Sequence, residues 1–205
     1  MSRIKCFWLE ALDECRYWLR TYESVEGSKC PVTGSYHNGM TALPDGKMER
    51  YEDRGRSLIR CIDEPKDFHN SDYPSKCDCG FEFTANAYRH VFHRQLFLRT
   101  DTGEKMTAED APVGAMWDAW YYPKAYRGSD GISLMVKTPG GEWCVDARCS
   151  NCTLPDDNEH KCWVRHGSPP DITVDKNGKT CSAGAGSIAQ PGYHGFLRNG
   201  YLEQC

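Results

Sequence analysis

The sequence lacks any long hydrophobic run. Across its 205 residues, no apolar stretch approaches the roughly 18 residues of a membrane-spanning helix, and Phe7-Trp8-Leu9 is interrupted at once by Glu10 and Asp13. A secretory signal needs an unbroken apolar segment of about seven to fifteen residues. We therefore expect a protein that stays in the cytoplasm and has no membrane partner.

The sequence also lacks an excess of basic residues. Lys and Arg number 25 against 29 Asp and Glu, which gives a formal net charge of -4. A chain with this balance does not coat nucleic acid by releasing counterions. Nucleic acid stays open as a partner only through a local basic segment beside Tyr88 and Phe92, which consists of Arg89, His90, His93, Arg94 and Arg99.

Cysteine is the residue in excess. The chain has 12 Cys and 7 His, with 39% hydrophobic and 12% aromatic residues that suffice for a core. This cysteine content lies below the roughly 8–10% of small disulfide scaffolds, and in a reducing cytoplasm clustered Cys more often bind metal than form disulfides. Four Cys have no close Cys or His partner in sequence and are expected to be inert and apolar: Cys6, Cys15, Cys144 and Cys205.

Short strands are predicted over much of the chain. Aromatic residues favour an N-terminal hairpin of Cys6–Leu12 and Arg16–Glu23 around Asp13-Glu14, although an apolar residue every three or four positions leaves a helix as the alternative. The clearest hairpin joins Ile132–Lys137 to Glu142–Ala147 through turn residues. Further strands are predicted at Cys162–His166, Asp171–Asp175 and Tyr193–Arg198.

Two segments complete the prediction. Residues 26–74 are rich in Gly, Pro, Asp, Asn and Ser, with one strand signal at Ser57–Cys61, and such a long loop needs a tether such as a metal ion. The segment Thr84–Leu98 has an apolar repeat that favours a helix, with Thr84 as its N-cap. The predicted fold class is α+β and β-dominated, with short antiparallel strands, long loops pinned by one or two zinc sites, and one or two short helices. We divide it into an N-terminal zinc-binding region, 1–125, and a C-terminal β-rich Cys/His region, 126–205, packed as one compact unit.

A first zinc site is predicted around the tight turn Cys77-Asp78-Cys79-Gly80. Gly permits the backbone conformation that points two thiolates at one ion, and structural zinc requires four ligands in a tetrahedron. The preceding loop supplies the other two ligands. We assign this site to Cys30, His37, Cys77 and Cys79, with Cys61 and His69 as substitutes.

A second zinc site is predicted in the C-terminal region. Cys149 and Cys152 have the Cys-x-x-Cys spacing of metal ligands, and several Cys and His follow. We assign this site to Cys152, His160, Cys162 and Cys181, with Cys149, His166 and His194 as substitutes. The group contains more ligands than one ion needs, so either some are spectators or the metal keeps a labile water position.

Several segments resemble a family of uncharacterised proteins encoded by tailed bacteriophages and prophages. The resemblance covers most of the chain, and its segments are 149–167, 173–178, 181–188 and 194–200, together with Cys30, Tyr36-His37-Asn38, Cys77-Asp78-Cys79-Gly80 and 111–120. It implies a phage setting and cytoplasmic expression, without an assigned activity. The paired Cys149 departs from the family pattern, which favours Cys152 alone as the ligand.

These features predict a phage-encoded, zinc-binding accessory or interaction protein. Its partner would be a phage or host protein in the cytoplasm of the infected bacterium. A zinc-dependent hydrolase is the alternative, with an open metal position for water and His166, His194 or a nearby carboxylate as general base. A virion component, with inter-subunit disulfides, is a second alternative.

Overall fold

The computed structural model describes residues 3–157, 159–183 and 186–205, and in this part of the chain strands dominate. Two single-turn 3-10 helices, Asn70–Asp72 and Lys124–Tyr126, are the helical elements of the described residues, and neither could cross a membrane. The strands are β1 (Arg3–Lys5), β2 (Phe7–Glu23), β3 (His37–Ala42), β4 (Gly46–Asp53), β5 (Arg56–Cys61), β6 (Tyr88–Arg99), β7 (Lys105–Met106), β8 (Ala115–Asp118), β9 (Leu134–Thr138), β10 (Gly141–Cys144), β11 (Val164–Ser168), β12 (Asp171–Asp175), β13 (Ile188–Gln190), β14 (Tyr193–Arg198) and β15 (Tyr201–Gln204).

The chain divides into two compact units. The larger unit comprises Met1–Ala11, Tyr51–Leu58 and Phe97–Cys205, and the smaller unit comprises Leu12–Arg50 and Ile59–Leu96. The boundary that we placed after residue 125 falls inside the larger unit, which also takes in the N-terminal strand β1.

An antiparallel sheet of six strands forms one part of the larger unit. Its order is β1-β15-β14-β12-β11, and β13 pairs with β14. Asn199-Gly200, with φ values of 46° and 72°, makes the tight turn between β14 and β15, as primed hairpin turns require. Ile172, Leu197 and Leu202 are buried in its core. The strands predicted at Asp171–Asp175 and Tyr193–Arg198 are confirmed with the same bounds.

A second sheet region of the larger unit contains the hairpin that the sequence predicts most clearly. β9 and β10 pair antiparallel, with Val136 opposite Trp143, and β8 pairs with β9 on its other side. The first residues of β2 pair parallel to β8. Trp117 and Leu9 are fully buried there, which gives the aromatic residues of this region a core role.

The smaller unit is built on the second half of β2. Every second side chain of this half is buried, and those between are half-buried, which is the period of a strand with one covered face. The buried residues are Cys15, Tyr17, Leu19 and Thr21. β3 pairs antiparallel with β2, so that Tyr22 lies opposite Asn38, and β4 and β6 also pair with β2.

The N-terminal hairpin prediction is wrong, since β2 runs from Phe7 to Glu23 without a turn at Asp13-Glu14. Glu14 lies in the ladder opposite Lys47 of β4. The pair Asp13-Glu14 lacks the Gly or Asn that tight hairpin turns favour, and cross-strand pairing on both sides of it keeps the backbone extended.

The helix prediction for Thr84–Leu98 is also wrong, because the segment forms β6. Tyr88, Val91 and Phe92 are residues that favour strands, and pairing with β2 outweighs the helical spacing of the apolar residues. The Thr84 hydroxyl accepts the Asn86 N–H in a local turn and caps no helix.

Residues 26–74 contain more order than the sequence predicts. The strand expected at Ser57–Cys61 is confirmed as β5, but β3 and β4 precede it. Both are mostly polar, with two buried positions in β3 and one in β4. Their order comes from pairing with β2, which a local hydrophobic pattern does not reveal.

Candidate metal centres

The structure brings together the four residues of the first predicted site in the smaller unit. One donor atom from each of Cys30, His37, Cys77 and Cys79 lies within 4.8 Å of the others. The Sγ atoms of Cys30 and Cys77 are 3.7 Å apart, and His37 Nδ1 is 3.3 Å from Cys79 Sγ. Ligands at zinc bond lengths of about 2.0–2.3 Å in a tetrahedron are separated by roughly 3.4–3.8 Å. These four side chains therefore have the spacing of a tetrahedral metal centre.

Two glycine turns and one strand end position these ligands. Gly34, with φ of 75°, donates its N–H to the Cys30 carbonyl at 2.8 Å, and Gly80, with φ of 90°, does the same to the Cys77 carbonyl at 2.8 Å. Both glycines adopt the left-handed conformation that other residues avoid. His37 is the first residue of β3, and its buried side chain points away from solvent.

Surrounding groups orient the first centre. Ser28 Oγ lies 3.3 Å from His37 Nε2, which leaves Nδ1 to face the sulfur atoms, and the Phe81 ring stacks on the imidazole at 3.9 Å. The Asn38 N–H donates to Cys77 Sγ at 3.3 Å. Burial raises the pKa of the Cys30 thiol, but backbone N–H groups of Thr33 and Val32 lower it to about 6 overall. Such hydrogen bonds favour the thiolate that a metal requires.

The second predicted quartet also comes together, in the larger unit. Donor atoms of Cys152, His160, Cys162 and Cys181 all lie within 4.8 Å of one another. His160 Nε2 is 3.2 Å from Cys152 Sγ and 4.0 Å from Cys162 Sγ, and the Cys162 and Cys181 sulfurs are 3.6 Å apart. The spacing matches that of a tetrahedral centre with three sulfurs and one nitrogen.

A short β-bridge explains how distant residues meet in the second centre. Lys161 and Thr180 form an isolated parallel bridge, and the Lys161 N–H donates to the Lys179 carbonyl at 3.1 Å. Each bridged residue immediately precedes a ligand, so Cys162 and Cys181 lie side by side. Of the loop that follows Cys181, residues Gly184 and Ala185 lie outside the described part of the chain.

Hydrogen bonds fix the tautomer and charge of the second centre. His160 Nδ1 lies 2.7 Å from the Asp157 carbonyl oxygen, so Nδ1 carries the proton and donates it in a hydrogen bond. Nε2 is then the unprotonated nitrogen that can bind a metal ion. Burial raises the pKa of the Cys181 thiol, but backbone N–H groups of Ala183 and Thr153 lower it to about 6 overall. Burial raises the pKa of the Cys162 thiol to about 12. A bound cation would offset this cost of burial and favour the thiolate form of all three sulfurs.

The substitute ligands lie outside both quartets. Cys61 Sγ is 3.7 Å from Cys15 Sγ, and His69 is exposed beside a 3-10 turn. In the larger unit, His166 Nε2 is 2.9 Å from Asp175 Oδ1, and His194 Nε2 is 2.9 Å from Ser187 Oγ. Cys149 contributes its backbone N–H to Cys162 Sγ at 3.3 Å and is absent from the group of donor atoms. The additional Cys and His residues near the second site in sequence therefore add no further donor atoms to the second centre.

Sequence reasoning missed several groups that support these centres. The Ser28 hydroxyl contacts His37 and the Asp157 carbonyl contacts His160, and neither contact is predicted from the sequence, because every residue carries a carbonyl and hydroxyls are common. The contact between Cys15 and Cys61 was also missed, because the two residues are 46 positions apart on different strands. Among the four Cys expected to be inert, Cys6 and Cys15 are buried, Cys144 is half-buried and Cys205 is exposed.

The described residues thus contain two Cys/His clusters that could hold a metal ion. Comparisons of the sequence with protein-family models and with curated proteins, and of the structure with solved structures, find no match. Functional inference therefore rests on the geometry of the two clusters and of the surfaces that they support.

Proposed function

We propose that this chain is a zinc-binding accessory protein in which two structural zinc ions hold long loops in place for interaction with a phage or host protein. The observation that carries the proposal is the closed geometry of both quartets, each with three sulfur donors and one imidazole nitrogen. Thiolate-rich tetrahedral sites select zinc over hard cations such as magnesium or calcium. The phage setting is inferred from the sequence resemblance alone.

Loop content supports a structural role for the metal. In the smaller unit, residues 24–36 and 62–87 contain no strand, and both ligand turns of the first centre lie in these segments. In the larger unit, residues 145–163 and 176–187 supply the second centre and also contain no strand among the described residues. Such segments bury little apolar surface, so metal binding offsets the entropy lost when they become ordered.

Ligand number and burial favour structural over catalytic zinc. A hydrolytic zinc site keeps three protein ligands and one position for water. Each quartet here supplies four ligands, and three of the four are buried in each case. His166 and His194, the candidate bases, are engaged with Asp175 and Ser187 instead. These observations support the accessory role against the hydrolase alternative.

The experiment is elemental mass spectrometry of protein purified without a metal-affinity column, with free thiols counted before and after chelation. We expect about two zinc ions per chain, release of six thiols on chelation and loss of the fold. Cys77→Ser and Cys162→Ser should each reduce the zinc content to about one, whereas Cys205→Ser, at an exposed position, should leave it at two. Absence of metal in the wild-type chain would refute the proposal, and zinc-dependent turnover of ester, peptide or nucleotide substrates would favour the hydrolase.

A further inference from the structure

A partly exposed aromatic surface lies on one side of the smaller unit, with Tyr88 exposed and its other members half-buried. We call it the aromatic face, and it consists of Trp18, Arg20 and Tyr22 of β2 with Tyr88, His90 and Phe92 of β6. On β2 these residues alternate with Leu19 and Thr21, which are buried. An exposed sheet face normally carries polar side chains, so aromatic residues at these positions require another explanation.

The rings of the aromatic face form a continuous row. Ring centroids are 5.1 Å apart for Tyr22 and Tyr88 and 5.1 Å for Tyr88 and His90. The row continues with 6.1 Å between His90 and Phe92 and 5.8 Å between Phe92 and Trp18. Tyr88 is 57% exposed, so much of its surface is available to a ligand. Neighbouring rings at this spacing offer several π-surfaces to flat groups that lie along the sheet.

Arg20 places a positive charge in the middle of the row. Its guanidinium carbon lies 5.1 Å from the Tyr22 ring centroid and 4.9 Å from that of Phe92. Its Nε donates to Asn38 Oδ1 at 2.7 Å, and its Nη2 donates to the Tyr36 hydroxyl at 3.1 Å. Both acceptors are neutral, and no ion pair of Arg20 occurs among the residues that the structure describes. The charge is therefore held at the level of the rings without a carboxylate to compensate it.

We propose that the aromatic face binds single-stranded nucleic acid, with bases stacked on Tyr88, Tyr22 and their neighbouring rings and with Arg20 in contact with a phosphate. Aromatic side chains beside cations on a sheet are the combination that single strands use, because every base has a π-surface and every nucleotide a negative charge. The outward positions of β2 and β6 next to Arg20 carry no carboxylate, and Glu23 at the end of β2 accepts the Thr84 N–H at 2.9 Å. A peptide partner would use the rings but has no general need for the uncompensated guanidinium.

The face goes beyond the proposed zinc role, although β3 connects the two. Asn38 donates its backbone N–H to Cys77 Sγ of the first centre, while its side chain accepts from Arg20. His37, the neighbouring ligand, is buried on the other side of the strand. The aromatic face contains none of the eight proposed ligands, so we expect variants on it to retain both metal centres.

The test is fluorescence anisotropy with the full-length protein and labelled ten-nucleotide probes: mixed-sequence single-stranded DNA, the same sequence as RNA, and the DNA duplex. We expect both single strands to bind more tightly than the duplex. Tyr88→Ala should weaken binding roughly 5- to 150-fold, the range for loss of one stacked base, and Tyr88→Phe should restore it. Arg20→Gln should also weaken binding. One or two phosphate contacts predict a shallow slope of log affinity against log salt, about -0.7 per contact.

Matched controls come from outside the face. Tyr121→Ala removes another exposed tyrosine, and Arg60→Gln removes another exposed arginine, so neither should change affinity more than about twofold. Zinc content and circular dichroism of every variant should equal those of the wild type. Equal effects of the control and face variants, preference for the duplex, or no binding of either single strand would overturn the proposal. Binding of proline-rich peptides in place of oligonucleotides, with loss in Tyr88→Ala, would also overturn it and assign the face to a protein partner.

Discussion

Cys149 and Cys152 offer a direct test of the second centre, because their Cys-x-x-Cys spacing is typical of a ligand pair while the geometry separates their roles. Cys152 Sγ lies 3.2 Å from His160 Nε2, whereas Cys149 contacts the centre through its backbone N–H. We expect Cys152→Ser to lose zinc from this centre and Cys149→Ser to keep it.

The magnitudes differ because the two substitutions remove different contacts. Structural zinc sites bind with about 10–16 kcal/mol, so one of four ligands accounts for roughly 2.5–4 kcal/mol, or about 70- to 900-fold in affinity. Cys149→Ser preserves the N–H that donates to Cys162 Sγ at 3.3 Å. Loss of an outer-shell partner costs about 10- to 100-fold, and since this partner is retained we expect less than about tenfold.

The assay is competition with a chromophoric zinc chelator, which resolves the two centres by affinity. The first centre, in the smaller unit, serves as an internal reference that neither substitution touches. If Cys149→Ser released one zinc ion while Cys152→Ser retained both, the ligand assignment and the physical reasoning behind it would be refuted.

Three further predictions concern stability and thiol chemistry. In the wild type the buried Asp146 carboxylate lies 3.0 Å from the Arg165 guanidinium. Arg165→Met leaves this carboxylate without its counter-charge and should lower the free energy of unfolding, measured with urea at pH 7, by about 3–5 kcal/mol. Burial raises the pKa of Asp146, so the folded state favours its protonated form. Measured against the double variant Arg165→Met/Asp146→Asn, which has no carboxylate at this position, the destabilisation of Arg165→Met should therefore shrink as the pH falls through that pKa. In Gly39→Ala, the new Cβ would lie 2.6 Å from the carbonyl oxygen of Lys76, which precedes the ligand Cys77. Chelator competition should therefore show weaker zinc binding at the first centre alone. The sulfurs of Cys15 and Cys61 are 3.7 Å apart, so oxidised glutathione should join them in a disulfide and release two molecules of reduced glutathione. Non-reduced peptide mapping that found both thiols free would contradict this prediction.

The sequence was most informative where chemistry is local. Cys77-Asp78-Cys79-Gly80 contains two donors and the glycine that turns the chain, so its role as half of a candidate centre follows from four consecutive residues. Both predicted quartets come together in the structure. Binding of zinc by these quartets stays a prediction, because spacing shows what could coordinate an ion.

Prediction from sequence failed where pairing between distant segments decides the structure. β3 and β4 are mostly polar and carry little hydrophobic pattern, yet they become strands because each pairs with β2. The same holds for the turn expected at Asp13-Glu14, where Glu14 finds its partner, Lys47, 33 positions further along the chain. No window of sequence around these residues contains the segment that orders them.

The error at Thr84–Leu98 had a functional consequence as well as a structural one. On a helix, successive residues rotate by about 100°, so Tyr88 and Phe92, four positions apart, would share one face while His90 would point to the opposite side. On β6, alternation places all three on one side, where Tyr88 and Phe92 meet the rings of Tyr22 and Trp18 on β2. The aromatic face thus depends on a strand period that the local apolar spacing concealed. A secondary-structure assignment decides which side chains act together, and so determines which binding partner is worth testing.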